Sequence, residues 1–263
     1  MRALIGIYMF LMGSIFASFF AVIIDRVPKK LSIVSPSSRC DSCEHVLKWY
    51  ENIPVFSYIF LKGKCSKCGN KIGLFSFVYE IVGGLSLLFV YLKFDLSWLS
   101  LFISVITLVL LLIAGYDYKT HFVPDLFLVL LFVACLSLLG YRLLFLDYDF
   151  IPYLVSVVLS ILFFVILRLV MTKILKRESL GIGDIYVTGI VAMVFEPIEI
   201  VIAILIASVL GLLIAIIMIA SKKSDRGDEI AFCPYLCFAF YVMLLYGKQI
   251  VSLMMLRWRY GQL

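Results

Sequence analysis

The sequence predicts an all-α polytopic membrane protein of about eight transmembrane helices, with a small cysteine-bearing cytosolic loop. Three observations predict it. Of the 263 residues, 64% are apolar and 15% charged, too little polar surface for a soluble domain of this size. Apolar runs recur at 4–24, 74–92, 97–116, 126–146, 151–171, 184–196, 198–220 and 231–255, close to the ~20 residues that cross a bilayer. The cations are also unevenly placed: with the N-terminus outside, the inner segments 25–73, 117–125, 172–183 and 221–230 hold 16 of the 23 lysines and arginines.

The first run is followed, not preceded, by the basic cluster Arg26, Lys29 and Lys30, so it reads as a retained span and not a cleaved signal. The sixth run is short, and Glu196, Pro197 and Glu199 separate it from the seventh, so a tilted or re-entrant helix is expected there. The organisation expected is a first span (1–25), a cytosolic loop (26–73) and a bundle (74–263), all in an inner membrane. The net charge of +6 sits at the membrane face, and the partner it implies is the lipid bilayer, with no nucleic acid.

Within the loop, Cys40-Asp-Ser-Cys43 and Cys65-Ser-Lys-Cys68 form two C-x-x-C pairs. Each pair turns two thiolates to one point, and two pairs close a tetrahedral S4 site, which favours structural zinc. A pair of redox-active dithiols and an iron site are the alternatives. A loop this small has little core of its own, so a bound metal would supply much of its folding energy. Gly69 suits a tight turn after the second pair. His45 reads as a bystander. Cys135, Cys233 and Cys237 fall in or beside spans and read as packing residues.

Ionisable residues at membrane depth are functional candidates. Asp117 ends the third run, in Ala114-Gly115-Tyr116-Asp117, and Asp184 opens the sixth, in Gly181-Ile182-Gly183-Asp184. Two intervening spans return the chain to the same side, so the two carboxyls can meet at one depth. Paired carboxyls that share a proton perform aspartic proteolysis: one takes a proton from water while the other polarises the scissile carbonyl. Gly181 and Gly183 would let an extended peptide backbone approach. Asp184 alone would cap its helix, Asp125 after Pro124 reads as a cap, and buried Glu80 needs a partner. A proton-coupled transporter and a membrane scaffold remain alternative readings.

Together these residues resemble the type IV prepilin leader peptidases, bacterial aspartyl proteases with a GxGD motif. The likeness runs through Ala17-Ser18-Phe19, Arg26 and Pro28, then Ser38-Arg39-Cys40, Trp49, Ile53-Pro54, Ser57-Tyr58 and Gly63, then Asp117, Pro124-Asp125 and Gly181-x-Gly183-Asp184. It implies an endopeptidase with Asp117 and Asp184 as catalytic residues and Cys40, Cys43, Cys65 and Cys68 as zinc ligands. The implied substrates are prepilin or pseudopilin precursors, cut after a glycine at the cytosolic face. Many members then methylate the new N-terminus using S-adenosylmethionine. The chain departs from the family pattern at Ala21, Lys119 and Tyr186, and in Phe75-Ser76-Phe77 before Glu80.

Overall fold

A computed structural model describes residues 1–40, 42–146, 148–176, 181–221 and 231–260. Four of the inner-loop cations, Arg177, Lys222, Lys223 and Arg226, lie outside the described residues. The described chain is helical: α1 (Arg2–Arg26), α2 (Phe56–Phe60), α3 (Leu74–Phe94), α4 (Trp98–Thr120), α5 (Asp125–Phe145), α6 (Phe150–Leu175), α7 (Ile182–Val191), α8 (Pro197–Ala220) and α9 (Cys233–Tyr260). Two 3-10 turns, Trp49–Asn52 and Ala192–Val194, complete it. Seven helices are long and apolar enough to cross a membrane; the sixth apolar run folds as the shorter helix Ile182–Val194, in keeping with its expected brevity. At about 1.5 Å per residue it reaches some 20 Å, against the ~30 Å of a hydrocarbon core.

The chain divides into two compact units, Met1–Ser100 and Leu101–Leu263. In the first unit α3 packs along α1. Small residues explain this partnership. A Cβ on Gly13 would lie 2.2 Å from the Gly83 carbonyl oxygen, and one on Gly84 would lie 2.5 Å from Ser14 Oγ. Gly6, Gly13, Ser14, Ala17 and Ala21 form the buried stripe of α1. In lipid, helices associate through such close backbone approach, because apolar burial gains nothing between helix and tail.

In the second unit the short helix α7 packs against α5, α6 and α9. Gly189 takes it close to α6, since a Cβ there would lie 2.9 Å from Ile161 Cγ1. Its far end is closed by Arg142 of α5, whose guanidinium donates to the Val194 carbonyl. A cation at a helix C-terminus satisfies a free carbonyl and the helix dipole together. Pro197 opens α8 at its first turn, behind a reciprocal cap of Glu196 and Glu199.

Candidate metal centre and acidic pair

The four loop sulfurs converge. Cys40 Sγ lies 3.8 Å from Cys68 Sγ, Cys43 Sγ lies 3.9 Å from Cys65 Sγ, and all four lie within 4.8 Å of one another. Zinc–sulfur bonds of about 2.3 Å in a regular tetrahedron require sulfur–sulfur edges of about 3.8 Å. The donor set therefore fits a tetrahedral metal ion. The two turns are built alike. Cys40 N–H donates to the His45 carbonyl and Glu44 N–H to the Cys40 carbonyl; Cys65 N–H donates to the Asn70 carbonyl and Gly69 N–H to the Cys65 carbonyl. Single antiparallel bridges, Arg39 with Val46 and Lys64 with Lys71, flank them. Both turns need a left-handed residue, filled by Gly69 (φ 72°) in one and by Glu44 (φ 55°) in the other. The backbone N–H groups of Ser42 and then Cys43 draw the Cys40 thiol down to about 6, toward the thiolate that a metal requires.

Glu51 lies between the two turns, and no spacing pattern marks it. Its side chain is 3% exposed and sits 3.3 Å from His45 Nε2, while Lys48 N–H donates to it at 2.8 Å. The Ser66 hydroxyl, between the second pair of cysteines, lies near enough to favour its charged form. These contacts hold its carboxyl below the ordinary range, Ser66 first, then Lys48 and His45. His45 thus supports the cluster through Glu51 and stays outside the sulfur set.

In the second unit, Asp117 lies in the last turn of α4 and Asp184 in the first turn of α7, and each is only 7% exposed. They are close enough to feel one another's charge. Gly183 makes this meeting possible: a Cβ there would lie 3.0 Å from Val123 Cγ2, in the link that follows α4. The absent side chain lets the start of α7 press onto the end of that link. Gly181 is the N-cap of α7, and a Cβ built there would lie 3.5 Å from Asp184 Oδ2, so the carboxyl sits close against the start of its own helix. His121 lies within charge range of Asp117, and its N–H donates to the Asp117 carbonyl at 2.8 Å.

Comparison with known proteins decides the family. The model of the bacterial peptidase A24 N-terminal domain matches residues 11–94, and that of the type IV leader peptidase family matches 104–216. The chain belongs to the type IV leader peptidase family. It is 33% identical over 220 residues to a prepilin leader peptidase/N-methyltransferase of Myxococcus xanthus, covering 82% of this chain and 64% of the relative. Proteins of the same description from Pseudomonas aeruginosa and Bacillus subtilis are 27% and 26% identical, across 91% and 93% of this chain and 90% and 95% of theirs. No solved structure matches.

In this leader peptidase family member, Glu80 finds its partner inside the first unit. Its carboxylate accepts the Val55 N–H at 2.7 Å. Val55 is held at φ 65°, ψ −52°, and Phe56 N–H closes a γ-turn onto the Pro54 carbonyl at 2.7 Å. That conformation is rare and strained for a β-branched residue. The turn adjoins a cavity of about 630 Å³ lined by Ser18, Arg26, Ser38, Asn52 and Pro54 among apolar neighbours. Cys135, Cys233 and Cys237 are all buried, as packing residues are, and Cys233 Sγ lies 3.9 Å from Cys237 Sγ. Glu51 belongs to no spacing pattern, so only its three-dimensional partners reveal it.

Proposed function

We propose that this chain is a membrane aspartic endopeptidase that removes the basic leader of prepilin or pseudopilin-like precursors after a glycine, at the cytosolic face. The observation that carries the reading is the pair of buried carboxyls, Asp117 and Asp184, drawn together where α4 ends and α7 begins. One carboxylate takes a proton from water, and the other, protonated, polarises the scissile carbonyl; the proton then passes to the leaving amine. The Gly181 backbone stands beside Asp184, where an extended peptide would lie. A basic leader fits an acidic pair by charge. The loop and the aspartates both lie on the cytosolic side of an inner membrane in this reading, supported by the bias of the cations.

The four cysteines would hold zinc as a closed structural site, since four thiolates leave no position open for substrate. Methylation of the new N-terminus with S-adenosylmethionine is the second activity we assign. Supporting it are the relatives, described as prepilin leader peptidase/N-methyltransferases, and the cavity in the first unit, whose size and mixed lining suit a small ligand. Arg26 offers a cation for the donor's carboxylate. Bound S-adenosylmethionine supplies an electrophilic methyl group; the residues of the chain would bind and orient it.

Co-expression with a prepilin, and mass spectrometry of the mature N-terminus, tests both activities. The expected product begins after the glycine and gains the mass of one methyl group. Cleavage that persists in both Asp117→Asn and Asp184→Asn overturns the protease reading.

A further inference from the structure

Glu80 lies in the second turn of α3, 8% exposed, and its Oε2 takes the Val55 N–H at 2.7 Å. That N–H belongs to the γ-turn Pro54-Val55-Phe56, in which Val55 stands at φ 65°. A β-branched residue leaves that region unless its surroundings hold it there, whereas glycine stays at little cost. A second contact joins the same two elements: Tyr58 of α2 stacks on Phe77 of α3, with ring centroids 4.3 Å apart. Tyr58 follows Val55 by three residues and Phe77 precedes Glu80 by three, so the two contacts lie side by side along one face of α3. The stack keeps α2 against α3. The bond to Glu80 acts on the Val55 amide itself.

What the turn positions is a wall of the cavity in the first unit. Asn52, Ile53 and Pro54, the residues leading into the turn, line it together with Ser18 and Arg26 of α1. Glu80 is not among the lining residues and reaches the cavity through Val55. A carboxylate that accepts a backbone N–H makes a strong bond, well suited to holding a turn that the chain would otherwise abandon.

We infer that Glu80 is a positioning residue of this cavity, holding the strained Pro54-Val55-Phe56 turn so that Asn52, Ile53 and Pro54 keep the shape that receives S-adenosylmethionine. The identity of the ligand rests on the methylation reading above; the hold on the turn rests on geometry.

Titration calorimetry of the purified chain in detergent with S-adenosylmethionine tests it. Glu80→Ala is expected to weaken binding about tenfold, the loss of one hydrogen bond to a charged group. Glu80→Gln keeps an acceptor and should weaken it about threefold. The deciding comparison is a cycle with Val55→Gly. Glycine occupies the left-handed region unaided, so in that background the same Glu80→Ala change should weaken binding by no more than about twofold. An equal loss in both backgrounds overturns the inference, because a group that touched the ligand or served general packing would be indifferent to residue 55. Wild-type affinity in Glu80→Ala overturns it as well.

Hydrogen exchange without ligand separates the hold on the turn from the identity of the ligand. In Glu80→Ala, exchange over 52–60 should quicken about tenfold while α1 and α3 stay protected. Unchanged exchange over 52–60, or protection lost throughout the first unit, overturns the inference even in a chain that binds S-adenosylmethionine. The expected exchange pattern in a chain whose wild type binds none leaves the hold on the turn standing and the methylation reading refuted.

Discussion

The cysteine loop and the acidic bundle hold polar chemistry in place by opposite means. In the loop, four sulfurs are carried on turns with almost no apolar core, and a buried carboxylate, Glu51, lies between the two turns. In the bundle, two carboxyls sit among close-packed helices, and absent side chains, above all at Gly183, set how near they come. The loop is held by bonds that strong reagents can undo. The bundle is held by shape, which only a change of volume disturbs. Each region should therefore fail under a perturbation that the other survives.

The widest separation should come from the metal that the four cysteines are proposed to hold. Stripping it with a strong chelator, or replacing Cys65 with serine, removes on the order of 10 kcal/mol from the loop's folding free energy. Limited proteolysis should then cut within 26–73 while the helices of the second unit remain protected. Equal protection of the loop with and without metal would break the contrast. Next in size, Asp117→Asn and Asp184→Asn should each lower prepilin cleavage by about a thousandfold or more, with unchanged melting and full zinc content. A loss of zinc in either variant would mean that the two regions do not fail separately.

Glycine and acid substitutions then sharpen it. Gly183→Ala forces a Cβ against Val123, which is itself buried and held before Pro124. Overpacking of this kind costs about 1–3 kcal/mol and should reduce cleavage with it. Gly181→Ala meets only an ordinary contact, 3.5 Å from Asp184 Oδ2, and should melt as wild type does. If both glycine variants melt alike, shape is not what holds the acidic pair. In the loop, Glu51→Gln should cost about 1–3 kcal/mol at neutral pH, as a buried charged acceptor is lost. Because the Glu51 carboxyl is held below its ordinary value, the wild-type advantage is full above that value and disappears as pH falls through the depressed one. The two proteins should thus converge in acid, and a deficit that grew on acidification would refute the assignment.

The parts of this molecule that repeat were readable from the chain, and the parts that meet were not. Apolar runs marked all the long helices to within about five residues, because bilayer thickness imposes a length on each. The two C-x-x-C pairs announced the sulfur cluster, since ligand spacing is a local property. Glu51 carried no such mark: it looks like any loop acid until His45 and the Lys48 N–H are placed beside it. The pairing of α1 with α3 was hidden for a related reason. Glycines at 13, 83 and 84 read as weak helix formers in sequence, whereas in lipid they are what two helices share.

The smallest effect compares the two turns with each other. They match in hydrogen bonding, yet one places Gly69 and the other Glu44 in the left-handed region. Nothing lies within 4 Å of a Cβ built on Gly69, so Gly69→Ala meets no clash and is opposed by backbone conformation alone, at about 1 kcal/mol. The reciprocal change, Glu44→Gly, relieves the same strain, but glycine also widens the unfolded ensemble, so the net gain should be smaller, about 0.5 kcal/mol. Competition against a zinc indicator reads both, because affinity for the metal and folding of the loop are one equilibrium. Gly69→Ala should weaken zinc binding about fivefold and Glu44→Gly strengthen it about twofold. Shifts in the same direction would show that the two turns, alike in their bonds, are not strained alike.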